Sequence, residues 1–219
     1  MKLVTYSDRI SYITPDESLI CSSIGIVRGD NYSILIDIGA SKPQLGILKD
    51  GLANGLIKNN IQDVVITHFH PDHTSNLSEL ENIKTICSKN TSRYIKADLI
   101  IDKQTDLDLK NTSVKIIPLP SVHAKGSLAI YVEEDKAMFI GDALCMKEKD
   151  YKPFTNKDIT LNMINTLRSY PIQKYFLGHE DGTISTSQIN AYLDQIYLEC
   201  KQSKSTDVFL SDKIKNCLY

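Results

Sequence analysis

The chain has 219 residues, with 25 Lys and Arg against 27 Asp and Glu, a formal charge of −2. Its 42% hydrophobic content is enough to fill a sizeable core. The basic residues form no runs, so no large electrostatic footprint for nucleic acid is visible and a nucleic-acid partner is not expected. No stretch approaches the ~18 apolar residues of a membrane span.

The N-terminal segment "MKLVTYSDRISYITPDESLI" is broken by Asp8, Arg9, Asp16 and Glu17. It lacks the apolar run of roughly 7–15 residues that a secretory signal needs, so a cytoplasmic protein is expected. Next, "SLICSSIGIVRG" and "NYSILIDIG" read as two strands joined by Gly29-Asp30-Asn31, residues that tolerate positive φ in a hairpin. "SKPQLGILKDGLANGLIKNN" predicts a helix capped by Ser41, with Leu45, Leu48, Leu52 and Leu56 at helical spacing. "DVVIT" (63–67) is short, apolar and β-branched, a buried strand. Residues 72–81 are expected as the next helix.

"IKTIC", "ADLIID" and "SVKIIPLP" read as further strands, followed by the pair "SLAIYVEE" and "KAMFIGDA". A helix at about 158–169, capped by Asp158, precedes the strand "KYFLGH". "STSQINAYLDQIYLECKQ" is a capped amphipathic helix. The polar "KQSKSTD" suggests that residues 203–219 form a loose tail to a single domain spanning 1–219. Strands without strict βαβα alternation, and without a Gly-rich phosphate loop, predict two mixed sheets packed together with helices outside, an α+β arrangement. The five cysteines, Cys21, Cys87, Cys145, Cys200 and Cys217, form no CxxC pair and read as reduced thiols, mostly packed in the core.

The segment "ITHFHPDHTS" holds three of the five histidines, His68, His70 and His73, within six residues. In extended chain, residues i and i+2 point the same way, so the rings of His68 and His70 can converge on one ion. Pro71 breaks the extended run, and Asp72 and His73 then project in another direction. Two ligand pairs facing two neighbouring points suggest two metals, since one zinc needs ~4 ligands including water. His123 sits in "PLPSVHAKGSL", between two strands. Asp142 in "MFIGDAL" and His179 in "YFLGHEDG" each follow an apolar strand.

Together these residues resemble the metallo-β-lactamase superfamily. "HFHPDH" matches its HxHxDH motif. His123, Asp142 after "FIG" and His179 after "LG" follow in the family's order and at its separations, and "LIDIGA", with Asp37, resembles its early strand-end aspartate. "SVHAKGS" departs from the Pro-Gly pair found around the histidine in many relatives. The resemblance covers residues 20–180. It implies an αββα sandwich with a dinuclear site at one edge. His68, His70 and His123 would hold one ion, Asp72, His73 and His179 the other, and Asp142 would bridge them. Asp37 would orient the loop from behind.

The implied cofactors are two divalent metal ions, zinc first, with iron or manganese also suited to mixed His and carboxylate sites. The implied activity is metal-dependent hydrolysis of a small ester, thioester or lactone by a bridging hydroxide, with Asp72 the catalytic residue that shuttles the proton. Flavin-linked diiron reductases of this fold carry Glu where this chain has His70. Two alternatives stand beside the hydrolase: an iron-dependent oxidoreductase of the sulfur dioxygenase type, and a non-catalytic metal-binding module. Cys145 is an alternative ligand or nucleophile, weighed against a structural thiol.

Overall fold

In the short strand "SILI", Ile34 and Ile36 join one apolar cluster and Leu35 another, and all three are buried. A strand buried on both faces needs a packing partner on each side. The computed structural model supplies both, and it describes residues 1–57, 60–211 and 214.

The first sheet contains β1 (Leu3–Thr5), β2 (Ile10–Ile13), β3 (Ile24–Arg28), β4 (Ser33–Ile36), β5 (Ile61–Val65), β6 (Lys84–Ser88) and β7 (Leu99–Ile101) in that spatial order. Its pairings are antiparallel from β1 to β4 and parallel from β4 to β7. The second sheet uses β8 (Thr105–Asp108), β9 (Ser113–Leu119), β10 (Ser127–Val132) and β11 (Ala137–Phe139). After β12 (Lys147–Lys149) and β13 (Lys152–Asn156), it resumes with β14 (Lys174–Phe176) and β15 (Ile184–Ser185), in the order β15-β14-β11-β10-β9-β8. Only the β11–β14 pairing in it is parallel.

Period-two alternation sorts the apolar residues into layers. Ile34, Ile36, Ile116, Ile130, Phe139 and Phe176 fill the space between the sheets. Leu35 and Ile26 turn outward against Leu45 and Leu48 of helix α1 (Lys42–Ala53). On the other side, Ile117, Ala129 and Tyr131 meet helices α3 (Lys157–Arg168) and α4 (Thr186–Gln202) through Met163, Ile164, Ile189 and Leu193. The result is the expected αββα sandwich of two mixed sheets.

Local details depart from the sequence expectations. The β3–β4 hairpin forms, but Gly29, Asp30 and Asn31 all have negative φ; a Cβ on Gly29 would overlap the Leu109 carbonyl oxygen, so glycine serves close approach there. Ser41 caps α1 by accepting from the Gln44 N–H and Leu45 and Leu48 are buried, but Leu52 in the last turn is exposed, and so is Leu56, which lies beyond the helix end at Ala53. In place of a helix over 72–81 there is one turn, α2 (Pro71–Thr74), followed by a 3-10 segment, Ser75–Glu79. α3 begins one residue early, with Asn156 accepting from the Ile159 N–H as cap and Asp158 in the first turn.

The largest correction concerns residues 203–211. β16 (Asp207–Phe209) pairs with β13 in a small third sheet, β12-β13-β16, with Val208 and Leu210 buried. That stretch is anchored rather than loose; the rest of the expected tail, residues 212, 213 and 215–219, lies outside the described residues, as does Cys217. Cys21, Cys87 and Cys200 are buried and no disulfide joins the described cysteines. No described helix is long and apolar enough to cross a membrane.

Candidate metal centre

Five loops meet at one edge of the sandwich, each leaving the end of a strand. They follow β4 (Asp37), β5 (Thr67 to His73), β9 (His123), β11 (Asp142) and β14 (His179). The β5 loop does most of the positioning. His70 remains extended and caps α2, and Pro71, whose fixed φ and missing N–H suit the first helical position, starts the turn. Thr74 Oγ1 donates to the His70 carbonyl at 3.1 Å and Ser75 Oγ to the Pro71 carbonyl at 2.6 Å, which locks it.

The structure brings all seven sequence-predicted residues together, in two groups. His68 Nε2 and His123 Nε2 lie 3.1 and 2.9 Å from His70 Nδ1, with the three rings edge to face. Asp72, His73, Asp142 and His179 form the second group, each offering an atom within 4.8 Å of the others. Asp142 belongs to both halves. Its Oδ2 is 3.2 Å from His179 Nε2, 3.3 Å from His73 Nε2, 3.5 Å from His123 Nε2 and 3.9 Å from His68 Nε2. Its Oδ1 is buried with no hydrogen-bond partner among the described residues. A buried carboxylate oxygen left unpaired is costly, and this donor set of imidazoles and carboxylates matches the chemistry of a divalent cation. Cys145 places its Sγ within 4.8 Å of the ligand atoms of His123 and Asp142.

Asp37 lies behind both groups. Its Oδ2 accepts from His73 Nδ1 at 2.7 Å and from Thr67 Oγ1 at 2.8 Å, and its Oδ1 accepts from the Thr67 N–H at 2.8 Å. With its hydroxyl hydrogen committed to Asp37, Thr67 Oγ1 accepts from His68 Nδ1 at 3.1 Å. Both histidines therefore carry hydrogen on Nδ1 and present Nε2 to the site. Thr67 was missed by sequence reasoning, since a threonine before HxH carries no pattern. So were two glycines. A Cβ on Gly141 (φ +50°) would lie 2.5 Å from Thr67 Oγ1. A Cβ on Gly178 would overlap Asp142 Oδ1 and approach His73 Cε1 to 2.9 Å.

The electrostatics of the two groups differ. Burial, with the neighbouring His73 charge, pushes His68 down to about 2, and burial also lowers His123. Hydrogen bonds to Asp142 and Asp72 raise His179 to about 9. Burial opposes protonation of His73, but Asp37 and its hydrogen bonds to Asp142, Asp37 and Asp72 outweigh it and raise that pKa well above the usual value. Burial alone would raise Asp72 and Asp142; hydrogen bonds from His179 and His73 reverse this and hold both below the carboxylate range.

His73 and His179 thus hold protons more tightly than a free imidazole, and a cation ligated by them would have to displace these protons. Zinc binding is expected to release about two protons per chain and to strengthen as pH rises toward 9. Calorimetric titrations in buffers of different ionisation enthalpy measure this, and an enthalpy independent of buffer contradicts it. The folded-state pKa of His179 lies above its unfolded value. Its contribution to metal-free stability is therefore full below about pH 6.5 and lost as pH rises through about 9.

Comparisons with known proteins agree with this architecture. A model of the "ODP family beta lactamase" family matches residues 20–170. The hydroxyacylglutathione hydrolase of Bartonella henselae is 28% identical over 201 residues, covering 84% of this chain and 76% of that protein. The hydroxyacylglutathione hydrolase of Francisella tularensis subsp. tularensis is 23% identical over 165 residues, 67% of this chain and 65% of the relative. The chain thus spans just under two thirds of that relative's length. Among solved structures, a metallo-beta-lactamase from Pontibacter korlensis superposes with TM-score 0.69 at 17% identity, covering 92% of this chain and 99% of that one. The chemotaxis sensor ODP, solved as a peroxy diiron species, gives 0.70 at 16% identity, with 99% of both chains covered. With the family model matching well over half of its length, this chain belongs to the metallo-β-lactamase superfamily, in its ODP family.

Proposed function

We propose that the protein is a dinuclear metal-dependent hydrolase acting in the cytoplasm on a small ester, thioester or lactone. The observation that carries this reading is Asp142: one buried oxygen facing four imidazole nitrogens and the other lacking any hydrogen-bond partner among the described residues. In this reading His68, His70 and His123 would hold one ion, Asp72, His73 and His179 would hold the second, and Asp142 would serve both. Bound divalent ions supply Lewis-acid polarisation and bring the pKa of water from 15.7 toward about 7.

The chain's own residues do the rest. Asp142 is buried, its side chain 6% exposed, and serves as structural anion. Asp72 is 19% exposed, so it is the carboxylate that reaches the cleft and can accept the nucleophile's proton. Its Oδ2 lies 3.0 Å from His179 Nε2 and 3.2 Å from His73 Nε2, the nitrogens that would ligate the second ion beside it. Asp37 and Thr67 hold the imidazoles still, so little reorganisation is needed during reaction. The hydrolase names of the curated relatives support the reaction class.

Chelation is expected to abolish ester or thioester hydrolysis, and added zinc or manganese to restore it. A panel of ester, thioester and lactone substrates with metal analysis alongside tests this. Full activity in a demetallated sample refutes it.

A second reading is an iron protein that binds or reduces dioxygen. The ODP family match and the diiron neighbour of the same name favour it specifically. Protein produced with both metals in the medium discriminates the two. Iron retained through purification, with oxygen uptake and no hydrolysis, selects the second.

A further inference from the structure

Beside the His123 loop lies a cavity of about 460 Å³, within the ~300–1,000 Å³ typical of small-ligand sites. One wall is the β9–β10 loop itself, with Val122 immediately before His123 and Lys125 two residues after it. The facing wall comes from the third sheet and the start of α3, through Lys147, Phe154 and Ile159. Val122, Phe154 and Ile159 make an apolar lining. Lys125 and Lys147 are exposed and have no ion-pair partner among the described residues, and no acidic side chain lines the cavity. Lys149 adds a third positive charge, its Nζ 5.8 Å from the Phe154 ring centroid.

In a chain of net charge −2, this pairing of an apolar wall with unmatched lysines is a local reversal of sign. Long lysine stems can lie along apolar surface while their ammonium groups reach water, and both lysines combine a place in the lining with solvent exposure. A neutral apolar ligand would leave those charges unanswered. A ligand with an apolar segment and a carboxylate satisfies both features.

We propose that this cavity is a specificity subsite for substrates carrying a free carboxylate beside a short apolar segment. The proposal rests on the hydrolase reading. The shared chemistry has two sources, since the carboxylate can sit on the acyl part or on the leaving group.

The test compares three esters with metal-loaded enzyme. Mono-p-nitrophenyl glutarate carries the charge on the acyl side, 4-acetoxybenzoate carries it on the leaving group, and p-nitrophenyl pentanoate is neutral. In the Lys125→Glu/Lys147→Glu variant, kcat/KM for one of the two anionic esters is expected to fall about tenfold relative to the neutral ester. That corresponds to about 1.4 kcal/mol. The loss should lie in KM, and the Lys→Arg pair should retain the wild-type ratio. Whichever anionic ester responds identifies the side. An unchanged ratio for both anionic esters overturns the proposal while leaving the hydrolase reading intact.

A binding arm separates the two failures. Hexanoate titrated into the metal-loaded protein should shift the backbone amide resonances of Val122, Gly126 and Ile159, and the double Glu variant should lose those shifts. Should no ester be hydrolysed, the hydrolase reading falls, and hexanoate shifts that depend on the lysines keep the cavity as a carboxylate site. Absence of those shifts in the wild-type protein removes it.

Discussion

Replacing Asp142 by asparagine is expected to lower bound metal from about two ions per chain to about one, and to cut turnover by at least about a hundredfold. The asparagine side chain is almost the same size but neutral, with an NH₂ that cannot ligate. Two cations ~3.5–4 Å apart repel strongly, and the shared carboxylate offsets part of that repulsion. The half with His68, His70 and His123 keeps three imidazoles, enough for a zinc with water as fourth ligand. The half with Asp72, His73 and His179 keeps its three ligands but faces an occupied neighbour without the intervening anion, so it should empty first. Melting should shift by only a few degrees, since each kcal/mol moves a domain of this size by ~2–4 °C. Elemental analysis after identical desalting, with melting curves, decides the matter. Equal metal content in mutant and wild type would remove Asp142 from the bridging role.

Gly178→Ala should be nearly as damaging, though it touches no ligand chemically. The backbone there is fixed, with its carbonyl accepting from the Ser23 N–H at 2.6 Å and its N–H donating to the Gly141 carbonyl at 3.1 Å. A methyl group must therefore displace the Asp142 carboxylate, which it would overlap. Overpacking of this kind costs roughly 1–3 kcal/mol. The larger effect is on the centre, where misplacement of about 1 Å can cost ~10²-fold in rate. Gly178 has no positive φ, so the substitution introduces no backbone strain and isolates the steric term. Gly46→Ala is the control, since a Cβ there meets nothing within 4 Å. Wild-type metal content and turnover in Gly178→Ala would show that the site can move aside.

Much of the centre could be read from the sequence because one loop carries four of its seven residues. HxHxDH fixes direction as well as identity: extended spacing turns His68 and His70 together, and Pro71 swings Asp72 and His73 away. The supporting residues were not legible. Thr67 acts through a relay that exists only once β4 and β5 pair in parallel and bring it to Asp37. Gly178 matters for space it leaves empty, which no periodicity records. The sandwich was legible because near-continuous apolar runs such as "SILI" mark strands buried on both faces. The third sheet was not, since "KEK", "KPFTN" and "DVF" are short and largely polar, and long-range pairing alone makes them strands. Asn156 and Asp158 are both good cap residues, and pattern alone chose the wrong one.

The carboxylate of Asp37 holds His73 directly and His68 through Thr67, so the two halves of the centre share one anchor. Neither half can settle its imidazole without also settling the other's. In the proposed dinuclear reading, an ion that fixes one imidazole would act through this anchor on the other, a coupling set against the repulsion between like charges. That coupling is reciprocal by thermodynamic necessity: whatever factor the first ion imposes on the affinity for the second, the second imposes on the first.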